Sequence, residues 1–122
     1  MVLPSCPALV IHDDDAFRKA LIAMLDQKHF TVTVSADGIN AIDQLKSRPF
    51  HVILLGVDLT RQRGMESLQY LREHREAINS AVIILGEPNP ELRNVGKVAD
   101  ETLLKPVDVN YVTDRARTYC RH

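Results

Sequence analysis

Two segments carry the residue types best able to do chemistry: His12-Asp13-Asp14-Asp15 near the start and Lys105-Pro106 near the end. Adjacent carboxylates are hard oxygen donors, the ligand type that a divalent cation such as Mg²⁺ takes, and a lysine facing them suits an anion. Asp58 and the basic run Arg61-Gln62-Arg63 lie between these segments, just after Gly56. Each has a plainer reading. Capping of a following helix explains one or two of the three acids. Asp58 and the two arginines read as solvated loop groups, and His12 as a space-filling hydrogen-bonding residue rather than a pH switch. Other chemistries find less support. Ser35, Ser47, Ser67 and Ser80 lack His/Asp partners at a spacing that singles out a nucleophile. Cys6 and Cys120 lie near opposite ends, without the spacing of a metal knuckle or a redox pair, so reduced thiols in a cytoplasmic domain are expected.

The elements that must position these groups come from an ordinary globular composition. The chain has 122 residues, 45% hydrophobic and 25% charged, with a net charge of -1. This size supports one core, and neither disorder nor a general affinity for nucleic acid or anionic membrane follows from it. Arg115, Arg117 and Arg121 suit the carbonyl end of a last helix and make no nucleic-acid footprint. No apolar run approaches the roughly 20 residues of a membrane span, and the first residues lack the features of a signal peptide. Residues 1–7 read as an N-terminal extension and 8–121 as a single domain.

Five short apolar segments rich in β-branched residues predict strands: Ala8–Ile11, Phe30–Val34, Val52–Leu55, Ala81–Leu85 and Thr102–Leu104. Helical periodicity fills the gaps, through Phe17, Leu21, Met24, Leu25 and Lys28, then Ile42 and Leu45, then Met65, Leu68 and Leu71. A last helix follows Asp108 through Val109, Val112, Ala116 and Tyr119. The fourth gap is poorest: Asn89-Pro90 starts a helix, but Gly96 interrupts it, so a short or mobile helix is expected. Alternating strands and helices predict an α/β doubly wound, five-stranded parallel sheet. Strands one, three and four are continuously apolar and therefore central. The second alternates Thr and Val, and the fifth runs into Pro106, as edges do. The order is then 2-1-3-4-5, with ligands expected beyond the strands' carboxyl ends between strands one and three. There the topology gathers His12, Asp13, Asp14, Gly56, Asp58, Gly86, Lys105 and Pro106.

At these residues the chain resembles the receiver domain of two-component response regulators, a flavodoxin-like (βα)5 fold of the chemotaxis-regulator type. The resemblance is carried by Val10-Ile11-His12-Asp13-Asp14-Asp15, Ala36-Asp37-Gly38, His51-Val52-Ile53-Leu54-Leu55-Gly56, Gly64 and Leu104-Lys105-Pro106. It implies an aspartate ending strand three that accepts a phosphoryl group, an acidic pair that helps it hold Mg²⁺, and a Ser/Thr and a lysine that hold phosphoryl oxygens. This sequence departs at those places. The acceptor position is Gly56, the Ser/Thr position Gly86, the first acidic position His12 and the aromatic switch position Thr102; Asp13 and Lys105 remain, with Asp14 accessory. The resemblance therefore implies a pseudo-receiver that is not an enzyme and has no cofactor. Mg²⁺ binding would be weak or absent, with Asp13, Asp14 and Asp58 as the candidates. Lys105 is expected to pair with Asp13 or Asp58, so that its loss leaves three acids repelling one another. A protein partner or a second copy is expected on the face of the fourth helix, fifth strand and fifth helix, through Tyr111, Val112 and Arg115. Two alternatives stand beside this reading. One is a receiver that uses Asp58 as a displaced acceptor or Mg²⁺ ligand. The other is a flavodoxin-like ligand-binding protein or enzyme, against which stand the phosphate-repelling Asp-Asp-Asp-Ala loop and the scarcity of aromatics for stacking a flavin. Whether an output domain follows residue 122 is not legible.

Overall fold

The computed structural model describes residues 5–35, 38–95 and 98–120. Five strands, β1 (Cys6–Ile11), β2 (Phe30–Ser35), β3 (Val52–Val57), β4 (Ala81–Gly86) and β5 (Glu101–Leu104), form one sheet in the order β2-β1-β3-β4-β5. All neighbouring pairs are parallel. The crossovers carry α1 (Asp15–Gln27), α2 (Gly38–Ser47) and α3 (Met65–His74), and α4 (Val109–Arg117) follows β5. The expected doubly wound architecture is present. The strands run longer than their apolar cores: β1 starts at Cys6, and β3 continues through Gly56 to Val57.

Side chains alternate across each strand, so the sheet has two cores. Leu9, Ile11, Ile53, Leu55, Val82 and Ile84 face α2 and α3, where Ala41, Leu68 and Leu71 meet them. Ala8, Val10, Val52, Leu54, Ile83 and Leu85 face α1 and α4, where Leu21, Leu25, Val112 and Ala116 close the layer. In α1, Leu21 and Leu25 are buried one turn apart, and Asp14 caps its start by accepting from the Phe17 backbone N–H. Lys28 lies beyond the helix at its C-cap. The fourth crossover holds a 3-10 segment, Pro90–Val95, started by Asn89, whose side chain accepts from the Glu91 N–H at 2.8 Å. Gly96 is outside the described residues, as are Ala36, Asp37 and Arg121. Among the described residues no helix is long and apolar enough to cross a membrane.

One expectation is corrected here. Cys6 and Cys120 are not free thiols: they form a disulfide across a sequence separation of 114, with Cα atoms 5.6 Å apart. The reason is topological. In parallel βα units every strand starts, and every helix ends, at the same edge of the sheet, so the first strand's start and the last helix's end come together. Spacing along the chain carries no trace of this.

Candidate functional site

The strand register lines up the residues that follow each carboxyl end. Ile11 pairs with Leu55, Gly56 with Leu85 and Gly86 with Leu104. His12, Gly56 and Lys105 therefore meet at one edge, and the Lys105 N–H donates to the Gly86 carbonyl at 2.9 Å. They line a small cleft of about 60 Å³ together with Asp13, Asp14, Asp58, Arg61, Arg63 and Glu87. The remaining expected members, Gly86 and Pro106, are not in the lining.

His12 is the centre of the arrangement. It is only 3% exposed, and its ring lies 4.9 Å from that of Phe17, centroid to centroid. Its Nδ1 is 3.1 Å from the Asp14 backbone N–H, and its Nε2 is 2.5 Å from Lys105 Nζ. A neutral imidazole has one bare nitrogen and accepts from one of these donors at a time. A protonated ring would accept from neither and would set a second cation beside the ammonium. Burial, then Lys105, push its pKa down to about 4. Lys105 also lies over the Phe17 ring, 4.8 Å from its centroid, and 3.8 Å from a Glu87 carboxylate oxygen.

The two glycines at the strand ends are filled by neighbours. A Cβ at Gly56 would stand 2.5 Å from His12 Cδ2, so the imidazole occupies the space of a side chain there. A Cβ at Gly86 would stand 2.5 Å from Leu92 Cδ2. Gly64 is required for a different reason: its φ is +78°, and a Cβ would lie 2.1 Å from the Gly56 carbonyl oxygen.

The ion pairs correct the expected ones. Lys105 pairs with Glu87, not with Asp13 or Asp58. Asp13 is taken by Arg63, which donates to Oδ2 at 2.6 Å. Asp58 accepts from the Arg61 backbone N–H at 3.2 Å, and its other oxygen is 3.8 Å from Arg61 Nε. The loop after β3 folds back through an antiparallel bridge between Asp58 and Arg63, which brings Arg63 across the cleft. Removing Lys105 therefore does not leave three uncompensated acids, because two of them have arginine partners. The basic run supplies the cleft's counter-charge from a solvated loop, with the Arg61 and Arg63 side chains 71% and 51% exposed. Asp14 is a helix cap, and the Phe17 N–H it accepts is the main cause of its lowered pKa. Asp15 pairs with Arg18, whose guanidinium also donates to the His12 carbonyl at 2.7 Å.

These donors do not suit Mg²⁺. Gly56 offers no side-chain oxygen, His12 presents a nitrogen to Lys105, and Asp13 is engaged by a guanidinium. Among the described residues, no three His, Cys, Asp or Glu side chains group as metal ligands.

On the expected interaction face, Tyr111 is 53% exposed and Leu104 of β5 is 54% exposed, but Val112 is fully buried. Val112 belongs to the α1–α4 core and cannot contact a partner. Arg115 is tied to β5, donating from Nε to Glu101 at 2.9 Å, and Tyr119 donates its hydroxyl to the same carboxylate at 2.9 Å. The Arg115 hydrogen bond, more than any other influence, holds the Glu101 carboxyl below its ordinary pKa. Thr102 is exposed on β5. The pairing of Arg63 with Asp13 and of Glu87 with Lys105, and the packing of Phe17 on His12 and of Leu92 on Gly86, were not legible: each comes from a loop turn or a packing choice that periodicity does not encode.

A parallel sheet of this order, with its polar cleft at the carboxyl edge, places the protein among open doubly wound α/β domains. The chain belongs to the response regulator receiver domain family, whose model matches residues 8–117. It is similar to the response regulator mcs4 of Schizosaccharomyces pombe, 29% identical over 74% of this chain and 18% of that protein. It is also similar to the response regulator RR06 of Streptococcus pneumoniae, 21% identical over 93% of this chain and 52% of that protein. The chain thus spans about half or less of the length of these relatives. Among solved structures, a Francisella response regulator receiver domain superposes with a TM-score of 0.80 at 24% identity, covering 94% of this chain and 96% of that one. The receiver domain of a Pseudomonas aeruginosa sensor histidine kinase, with magnesium coordinated in its active-site cleft, superposes with a TM-score of 0.78 at 19% identity, covering 94% of this chain and 97% of that one.

Proposed function

We propose that this receiver domain signals through protein contacts without aspartyl phosphorylation. One observation carries the reading: the acceptor position is Gly56, and the His12 ring fills the space that an acceptor side chain would need. The consequences agree with one another. With no acceptor carboxylate, Lys105 turns to His12 and Glu87, and Asp13 to Arg63, so the cleft is internally paired where the Pseudomonas neighbour holds magnesium. The partner, a different protein or a second copy, docks on the β5–α4 face through exposed Leu104 and Tyr111.

Intact-mass analysis after incubation with Mg²⁺ and a small phosphodonor tests the first part. The natural chain gains no phosphoryl group, and Gly56→Asp alone also gains none, because His12 stands in the way. A His12→Asp/Gly56→Asp double variant recovers both cation binding and the adduct. An adduct on the natural chain that disappears with Asp58→Asn would overturn the reading in favour of a displaced acceptor.

A further inference from the structure

Cys6 and Cys120 lie at the opposite edge of the sheet from the cleft and play no part in it. Cys6, the first residue of β1, is 1% exposed. Cys120, three residues past the end of α4, is only half-buried. A histidine stands beside the buried sulfur: His51 Nδ1 is 3.6 Å from Cys6 Sγ. The main chain of that histidine is held from both sides, its backbone N–H donating to Pro7 O at 2.8 Å and its carbonyl accepting from the Ala81 N–H at 2.9 Å. The pair therefore joins a buried residue to a partly exposed one, whose sulfur lies 3.9 Å from the Ala116 carbonyl oxygen, with an imidazole next to the buried sulfur.

We propose that Cys6–Cys120 is a thiol–disulfide exchange site that takes a dithiol reductant, with His51 assisting departure of the Cys6 sulfur. A reductant thiolate attacks Cys120 Sγ, which belongs to the more exposed residue of the pair. The sulfur–sulfur bond breaks, and its electron pair goes to Cys6 Sγ, which leaves as a thiolate and takes a proton from Nδ1 of the His51 imidazolium, leaving a neutral ring that regains its proton from solvent. The reductant's second thiolate then attacks its own sulfur in the mixed disulfide, expelling Cys120. Cys120 leaves as a thiolate and takes a proton from solvent; the reductant ends as a cyclic disulfide and the protein as two thiols, a two-electron exchange. Leaving-group stabilisation sets the rate of such steps as directly as the attacking thiol does. A disulfide that served only as a staple would need neither a partly exposed partner nor the histidine. The inference does not depend on the phosphorylation-independent reading of the cleft.

Reduction of the whole folded chain by dithiothreitol, followed by thiol alkylation and intact mass across neutral pH, tests the proposal. The air-oxidised protein takes up no alkylating groups; reduction adds two, at a rate that does not require global unfolding. His51→Gln slows reduction by about tenfold near neutral pH and flattens its pH profile, while leaving the oxidised protein's melting temperature unchanged. Cys120→Ser leaves one alkylatable thiol and folds without the bond. Two free thiols in the air-oxidised chain would overturn the proposal. So would reduction only on global unfolding, or a His51→Gln rate and pH profile equal to the natural chain's.

Discussion

His12 reaches its buried place because β1 ends at Ile11 and the next residue must turn into the space above Gly56. It is neutral there, since both burial and the Lys105 ammonium oppose its charge, and its pKa falls from 6.5 to about 4. The sign of the pH effect follows. Between these values the unfolded chain binds the proton and the folded chain does not, so folding stability rises with pH across the window. The stabilisation is complete above about 6.5 and is progressively lost on acidification toward 4. We expect on the order of 3 kcal/mol across that interval, read by urea denaturation at several pH values, with His12→Asn removing this component. The sequence makes His12 visible as a departure from the acidic pattern. That its ring replaces the side chain missing at Gly56 was not legible, because the two residues are 44 positions apart and only the register of β1 with β3 brings them together.

At the scale of elements, the strands were the most legible part, since β-branched residues and uninterrupted apolar runs bear directly on burial in a parallel sheet. The fourth crossover was also readable from Asn89-Pro90, which starts a 3-10 turn in place of a regular helix. The faces of the last helix were less so: Tyr111 and Val112 are adjacent, yet one is exposed and the other enclosed by α1 and the sheet. This separates two kinds of variant on α4. Tyr111→Ala and Leu104→Ser should weaken partner capture or self-association at least tenfold with little change in the denaturation midpoint. Val112→Ala should instead cost about 1–3 kcal/mol by leaving a core cavity, with no specific effect on association once the folded fraction is matched. Sedimentation and pull-down measurements beside denaturation curves distinguish the two. Glu101 joins β5 to α4 through Arg115 and Tyr119, so this face should respond as a unit to changes at either end.

For the whole molecule, the bond between Cys6 and Cys120 is the longest-range covalent constraint. In the chain-entropy account, a loop of this size stabilises the folded state by about 4–5 kcal/mol through the unfolded chain it restricts. Reduction, or Cys120→Ser, should accordingly lower the melting temperature by roughly 15 °C or more, measured by calorimetry with and without reductant. Composition and spacing could not reveal this, because the relevant proximity belongs to the closed topology and not to any local pattern. The same bond alters what a cut in the backbone means. Between these two cysteines the oxidised polypeptide is a closed ring, so cleaving any one peptide bond within it opens the ring without separating it into pieces. Two covalent paths join every pair of residues inside that ring, and the loss of either leaves them tethered.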